Sequence, residues 1–237
     1  MQAIRPAGAA GNPAGVAART AAAGAPSTRW LLGCGLVAGP FYLALGLVQA
    51  FTREGFSFSR HPLSVLSNGH GGWLLVANFV LTGLMVIAAA LGLRRVLGAK
   101  SKALQGFLSG YGASMLVAAV FRADPMDGFP VGTPVGPPTS ISTSGLVHFA
   151  AGGIGFLCLA VSCFLAARAM SRLNARALAR LSFWSGLIVA VGFFGSAAIP
   201  NSSPVLGIWI AVVVGWAWLS ILSSVMWTPA TEPVASP

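Results

Sequence analysis

Six apolar stretches alternate with polar segments along the chain: Trp30–Phe51, Trp73–Leu93, Leu104–Phe121, Gly145–Ala167, Leu181–Ile199 and Val205–Trp227. None contains Asp, Glu, Lys or Arg between its ends. A run of ~20 apolar residues crosses a hydrocarbon core of ~30 Å as a helix. The pattern therefore predicts an all-α polytopic membrane protein, a six-transmembrane-helix bundle over residues 30–227. Six helices use nearly the whole chain, so one domain with no soluble catalytic module is expected. Residues 1–29, rich in Ala, Gly and Pro, and the tail 228–237 are predicted to be disordered because neither composition can build a core. The first segment looks like the start of a signal peptide, but the apolar run after Arg29 is 22 residues long and no A-x-A-like site follows, which predicts a retained first helix.

Composition sharpens this picture. The chain is 56% hydrophobic and only 8% charged, against about 25% charged residues in a soluble domain, and its mean hydropathy is +0.81. The net charge is +10. With both termini placed in the cytoplasm, 11 of the 14 basic residues fall inside and only Arg53, Arg60 and Arg122 fall outside. This positive-inside bias predicts a multi-pass protein of the cell inner or plasma membrane, with contacts to anionic lipid headgroups. It also accounts for the charge without nucleic acid, which would need basic residues interleaved with aromatics on a soluble face.

Cys34, Cys158 and Cys163 all lie within predicted helices, so neither a structural disulfide nor a paired-cysteine zinc site is expected. Gly35 with Gly39, Gly106 with Gly110, and Ala151 with Gly155 each put two small residues on one helical face. Such faces allow close backbone approach in lipid, within the bundle or between copies in a homo-oligomer.

The candidate chemistry is concentrated at one end. All three histidines (His61, His70 and His148) and three of the four carboxylates (Glu54, Asp124 and Asp127) fall in or beside two long outer segments, Thr52–Gly72 and Arg122–Ser144. Loops of this length are often functional.

The strings His61-Pro62-Leu63-Ser64-x-Leu66, Gly72-Trp73 and Asn78-Phe79 occur here in order. Further on come Gly92-Leu93-Arg94-Arg95, Phe121-Arg122-Ala123-Asp124-Pro125 with Gly128 and Pro130, and Gly145-x-x-His148. From about Trp30 to Trp227 the chain thus resembles a family of small prokaryotic membrane proteins catalogued as domain of unknown function 998. The resemblance implies a six-helix integral membrane protein. Some relatives accompany biosynthetic gene clusters, which would suit an enzyme or an export component.

Individual residues carry the functional expectations. His148 shares a helical face with Ser144, Ala151 and Gly155 and is expected to point into the bundle, where an ionisable residue is a functional candidate by default; the alternative is a neutral interhelical hydrogen bond. Pro62 biases His61 towards an extended conformation. Ser64 can begin a short surface helix with Leu63 and Leu66 towards lipid and His61 and Ser64 turned inward. Asp124 either caps a turn or joins the histidines. Arg122 anchors the helix at the headgroups, binds an anionic substrate or pairs with Asp124. Asn78 needs a hydrogen-bond partner within the bundle. His70, between glycines, is expected in a mobile turn.

Two chemistries fit His61, Asp124 and His148 as catalytic residues. They can ligate a divalent metal such as zinc, leaving a position for an activated water. Without a metal, Asp124 can orient a histidine that serves as general base while Ser64 or water attacks. Asn78 and Arg122 are the candidate substrate-binding residues. The expected function is a membrane-embedded hydrolase or group-transfer enzyme acting at the extracytoplasmic face on a lipid or other amphipathic small molecule. A small-molecule carrier and a non-catalytic scaffold are the alternatives. The lack of charge in the middle of every helix counts against the carrier, since transporters place ionisable groups or broken helices near the midplane.

Overall fold

The computed structural model describes residues 21, 22, 24–136, 140–195 and 204–227. Six helices are long and apolar enough to cross a membrane. They are α1 (Pro26–Thr52), α2 (Gly72–Leu97), α3 (Lys102–Val120), α4 (Thr143–Arg172), α5 (Arg176–Ala190) and α6 (Pro204–Trp227). A π-helical turn, Val191–Gly195, extends α5. Short 3₁₀ turns at Leu63–Ser67 and Ala99–Ser101 complete the order. No strand occurs among the described residues.

The described boundaries lie within about one and a half turns of the sequence expectation, with one instructive difference. Residues 26–29, expected to be disordered, form the first turn of α1. Pro26 stands at its start, where a missing N–H costs nothing and φ is already helical. The expectations for residues 1–20, for the tail 228–237 and for the end of the fifth span at Ile199 fall outside the described residues.

Each helix packs on its neighbours in sequence, and α6 packs back on α1, closing a ring. One end of this ring carries Arg94, Arg95, Lys100, Lys102, Arg168, Arg172, Arg176 and Arg180; the other carries the histidines and described carboxylates. They are called the arginine end and the histidine end below.

Glycine sets how close the helices come, because lipid supplies little hydrophobic drive between helices and packing must hold them. A Cβ added at Gly112 would stand 2.6 Å from the Gly83 carbonyl oxygen, and one at Gly83 would stand 2.8 Å from that of Gly112. The α2–α3 seam is thus backbone against backbone. Two of the small-residue faces are consumed in the same way. Gly35 and Gly39 on α1 meet Ser223 and Trp216 on α6, and Gly155 on α4 meets Ser114 on α3. Those faces are therefore occupied within the chain and not free for a second copy. Gly106 faces open space, while Gly110 touches only Cys158.

An aromatic cluster fills the middle of the ring. Tyr42 of α1 lies against Trp216 of α6, with ring centroids 5.1 Å apart, and against Phe79 of α2 at 6.0 Å. Tyr111 of α3 meets Trp216 at 5.8 Å and Phe156 of α4 at 6.3 Å. By helix rise, Tyr42 and Trp216 lie roughly 15–18 Å below the histidine end, near the midplane of a bilayer.

Candidate functional site

The two long loops of the histidine end fold into a tied cap, and His61 is its centre. The ring is fully buried. Its Nδ1 accepts the Ser57 backbone N–H at 2.9 Å, so Nδ1 carries no proton. Nε2 then donates to the Asp127 carbonyl oxygen at 3.0 Å. The neutral tautomer is fixed by two backbone groups, and no ring nitrogen remains for a metal or a proton transfer. Phe56 and Phe129 flank the ring, and the Trp209 indole of α6 donates to the His61 carbonyl oxygen at 3.2 Å.

Arg53 holds the rest of the first loop. It sits just past α1 and donates to the carbonyl oxygens of Leu66 at 3.2 Å and Asn68 at 2.7 Å, the end of the 3₁₀ turn. Its guanidinium also lies 5.1 Å from the centroid of the buried Phe129 ring. Partial burial lowers its pKa from the usual arginine value, since desolvation penalises the charged form. Asn68 in turn donates to the Ala123 carbonyl oxygen of the second loop at 2.9 Å. Leu63, Val65, Leu66 and Ser67 are all buried. The expectation that Leu63 and Leu66 face lipid is therefore corrected: the turn dips its leucines into the mouth of the bundle, where Leu63 packs over Gly46 of α1. The tilt that puts His61 inward puts them inward too.

Asp124 works at the start of α4. Its carboxylate accepts from both the backbone N–H and the hydroxyl of Ser142, and the Ser142 Oγ accepts the Gly145 N–H at 2.9 Å. The carboxylate lies so close over the helix that a Cβ at Gly145 would overlap it. A negative charge there also complements the helix dipole. Ser144 and His148 complete the join. Ser144 Oγ donates to the Arg122 carbonyl oxygen at 2.9 Å, and His148 Nδ1 donates to that of Phe121 at 2.8 Å.

His61, Asp124 and His148 thus share one end of the bundle but each serves a different partner. Among the described residues no group of three His, Cys, Asp or Glu side chains is placed to hold a metal ion. The expected zinc or other divalent-metal set of His61, Asp124 and His148 is not assembled, because His61 and Asp124 are drawn to backbone groups of separate loops. The Asp124-oriented histidine is not formed either. Ser64 is half-buried, and its carbonyl accepts from Ser67 Oγ. Arg122 is exposed, and His70 is exposed in the turn between Gly69 and Gly71. Of the catalytic candidates, His148 keeps a reactive atom: its fixed Nδ1–H leaves the Nε2 lone pair without a partner among the described residues, and its ring centroid lies 6.2 Å from that of Phe79.

Beneath the cap lies a second set of polar atoms. Asn78 is fully buried and donates Nδ2 to the Tyr42 carbonyl oxygen at 3.0 Å. Its Oδ1, Gln49 Oε1 and Trp216 Nε1 are buried with no hydrogen-bond partner among the described residues. Asn78 and Trp216 flank Tyr42 from two sides, and Gln49 is seven residues from Tyr42 on the same face of α1. Two acceptors and one donor are left open in a water-poor interior, where each costs about 1–3 kcal/mol unless something pairs with it. Asn78 was visible in the sequence. Nothing in the sequence distinguishes Gln49 and Trp216 from the other polar and aromatic residues of the helices, or Arg53 from the other basic residues of the outer segments.

The sequence model of a family described as "Protein of unknown function (DUF998)" matches residues 36–225. The chain belongs to this family. The match reaches all six helices, leaving out the first ten residues of α1 and the last two of α6, so the DUF998 region includes the cap, the aromatic core and the seams described above except Gly35. No curated protein and no solved structure matches the chain.

Proposed function

We propose that this DUF998 protein is a membrane carrier for a small, uncharged, amphipathic molecule, held beneath the cap between α1, α2, α3 and α6. The observation that carries this reading is that three of the four buried, unpaired polar side-chain atoms among the described residues, Gln49 Oε1, Asn78 Oδ1 and Trp216 Nε1, lie around Tyr42; the fourth, Ser223 Oγ, sits against Gly35 on the α1–α6 seam. A ligand with at least one hydrogen-bond donor and one acceptor would satisfy them, and the rings of Tyr42, Phe79 and Tyr111 would pack its apolar body. The absence of charged residues from the helix interiors, which weighed against a carrier at the sequence level, here selects a neutral cargo. The basic residues favour an extracytoplasmic histidine end, so the cap would close the outer mouth.

The test is extraction of the purified protein with organic solvent and mass spectrometry of what co-purifies. The wild type should carry a neutral small molecule, and Trp216→Phe, which removes the N–H donor and keeps an aromatic ring in the core, should lose it. Equal small-molecule content in the wild type and the variant, or none in either, would sink the reading.

One observation supports an enzyme instead. The open Nε2 of His148 is a suitable general base at the interface. In that case His148→Ala would leave ligand retention intact and cause chemically altered cargo to disappear from the extract.

A further inference from the structure

A groove of about 430 Å³ opens between α4 and α5 at the arginine end. Its upper rim carries Arg168 and Ser171 from α4 and Arg180 from α5; Ala167 and Ala179 form its floor; Phe164, Phe183 and Trp184 line its lower half. The order along the membrane normal is set by the helices. Arg168 and Arg180 each lie four residues from the α4–α5 turn, and Phe164 and Trp184 each lie eight, or roughly 6 Å and 12 Å deep. Charge is above and aromatic surface below, as a headgroup sits above its acyl chains.

We propose that this groove binds one anionic phospholipid. The phosphate bridges Arg168 and Arg180, whose planar guanidinium groups match two phosphate oxygens each. Ser171 donates a further hydrogen bond, and an acyl chain runs down over Phe164, Phe183 and Trp184. Charge decides between lipid classes. Arg168, Arg172, Arg176 and Arg180 crowd this turn, and among the described residues none of them makes an ion pair or a hydrogen bond. The described carboxylates, Glu54, Asp124 and Asp127, are all at the histidine end. The ammonium group of a zwitterionic lipid would meet uncompensated positive charge here, whereas a headgroup without one would not. Small alanines make room for the headgroup, and the aromatic lower half selects a lipid over a free anion.

The full chain, purified in a neutral detergent, is titrated with phosphatidylglycerol or phosphatidylcholine, and bound lipid is counted by native mass spectrometry. One phosphatidylglycerol should bind, at least tenfold tighter than phosphatidylcholine. R168Q/R180Q should weaken it on the order of thirtyfold, the loss expected for two basic contacts near a membrane surface. K100Q/K102Q, which removes the same charge from the neighbouring turn at the same end, should change it less than threefold. Equal losses in the two double variants would reduce the effect to diffuse surface charge and overturn the site. Displacement of the lipid by millimolar inorganic phosphate would overturn the lipid assignment. Should R168Q/R180Q fail to fold, Trp184→Leu keeps every charge and changes only an exposed wall of the groove. It should lower phosphatidylglycerol affinity, and unchanged affinity would count against the acyl-chain half.

Discussion

Both ring nitrogens of His61 are committed to the backbone, Nδ1 as acceptor from Ser57 and Nε2 as donor to Asp127. His61→Ala would leave two groups of a buried junction unpaired, a cost of about 2–6 kcal/mol by the usual penalty for each. Denaturant or thermal unfolding in detergent should show that loss, together with faster proteolysis of the 53–72 loop. His148→Ala removes a single half-buried hydrogen bond, for which membrane proteins average only about 0.6 kcal/mol, so it should melt close to the wild type. Similar losses in the two variants would mean that His61 does not organise the cap. The sequence located these residues at one end because charge and hydropathy are written in residue identity. It could not assign their partners, because those partners are carbonyls and N–H groups that nearly every residue possesses. His61, Asp124 and His148 therefore read as one cluster in the sequence and as three separate ties in the fold.

At the scale of elements, the helices were legible because ~20 apolar residues without a charge leave few alternatives in lipid. Their seams were legible only in part. The spaced small pairs Gly35/Gly39 and Ala151/Gly155 do mark contacts, but the backbone-against-backbone crossing of Gly83 and Gly112 joins single glycines on two helices and has no local pattern. Gly112→Ala should push α2 from α3 and lower stability by about 1–3 kcal/mol, the usual cost of overpacking. Gly106→Ala meets open space and should be neutral or slightly stabilising through helix propensity. Thermal melts of the two variants in one detergent make the comparison. The 3₁₀ turn Leu63–Ser67 shows the limit of pattern reading. Its leucines fit a lipid-facing turn or a bundle-facing one equally well, and the hydrogen bonds of Arg53 decide in favour of the bundle.

For the whole molecule, the asymmetry of basic residues yields a prediction about orientation. In intact cells, a cysteine at Ser140, exposed at the histidine end, should react with a membrane-impermeant thiol reagent. A cysteine at Lys100, exposed at the arginine end, should stay unlabelled until the membrane is opened. The reverse pattern would turn the protein over and place the cap in the cytoplasm. Reading the sequence alone does not reveal that the bundle is a closed ring, since hydropathy defines spans and says nothing about which distant pair will meet.

That closure, through Gly35, Gly39 and Tyr42 of α1 against Ser223, Ser220 and Trp216 of α6, sets a timetable for synthesis. α1 leaves the ribosome well before α6 and must wait for it before its glycine face is covered. Until then that face and the forming interior stay open to lipid and to other nascent chains, and long-range closure of this kind is slow and exposed to misassembly. A nonsense mutation anywhere before α6 should therefore give a product cleared by membrane quality control rather than a shortened working protein.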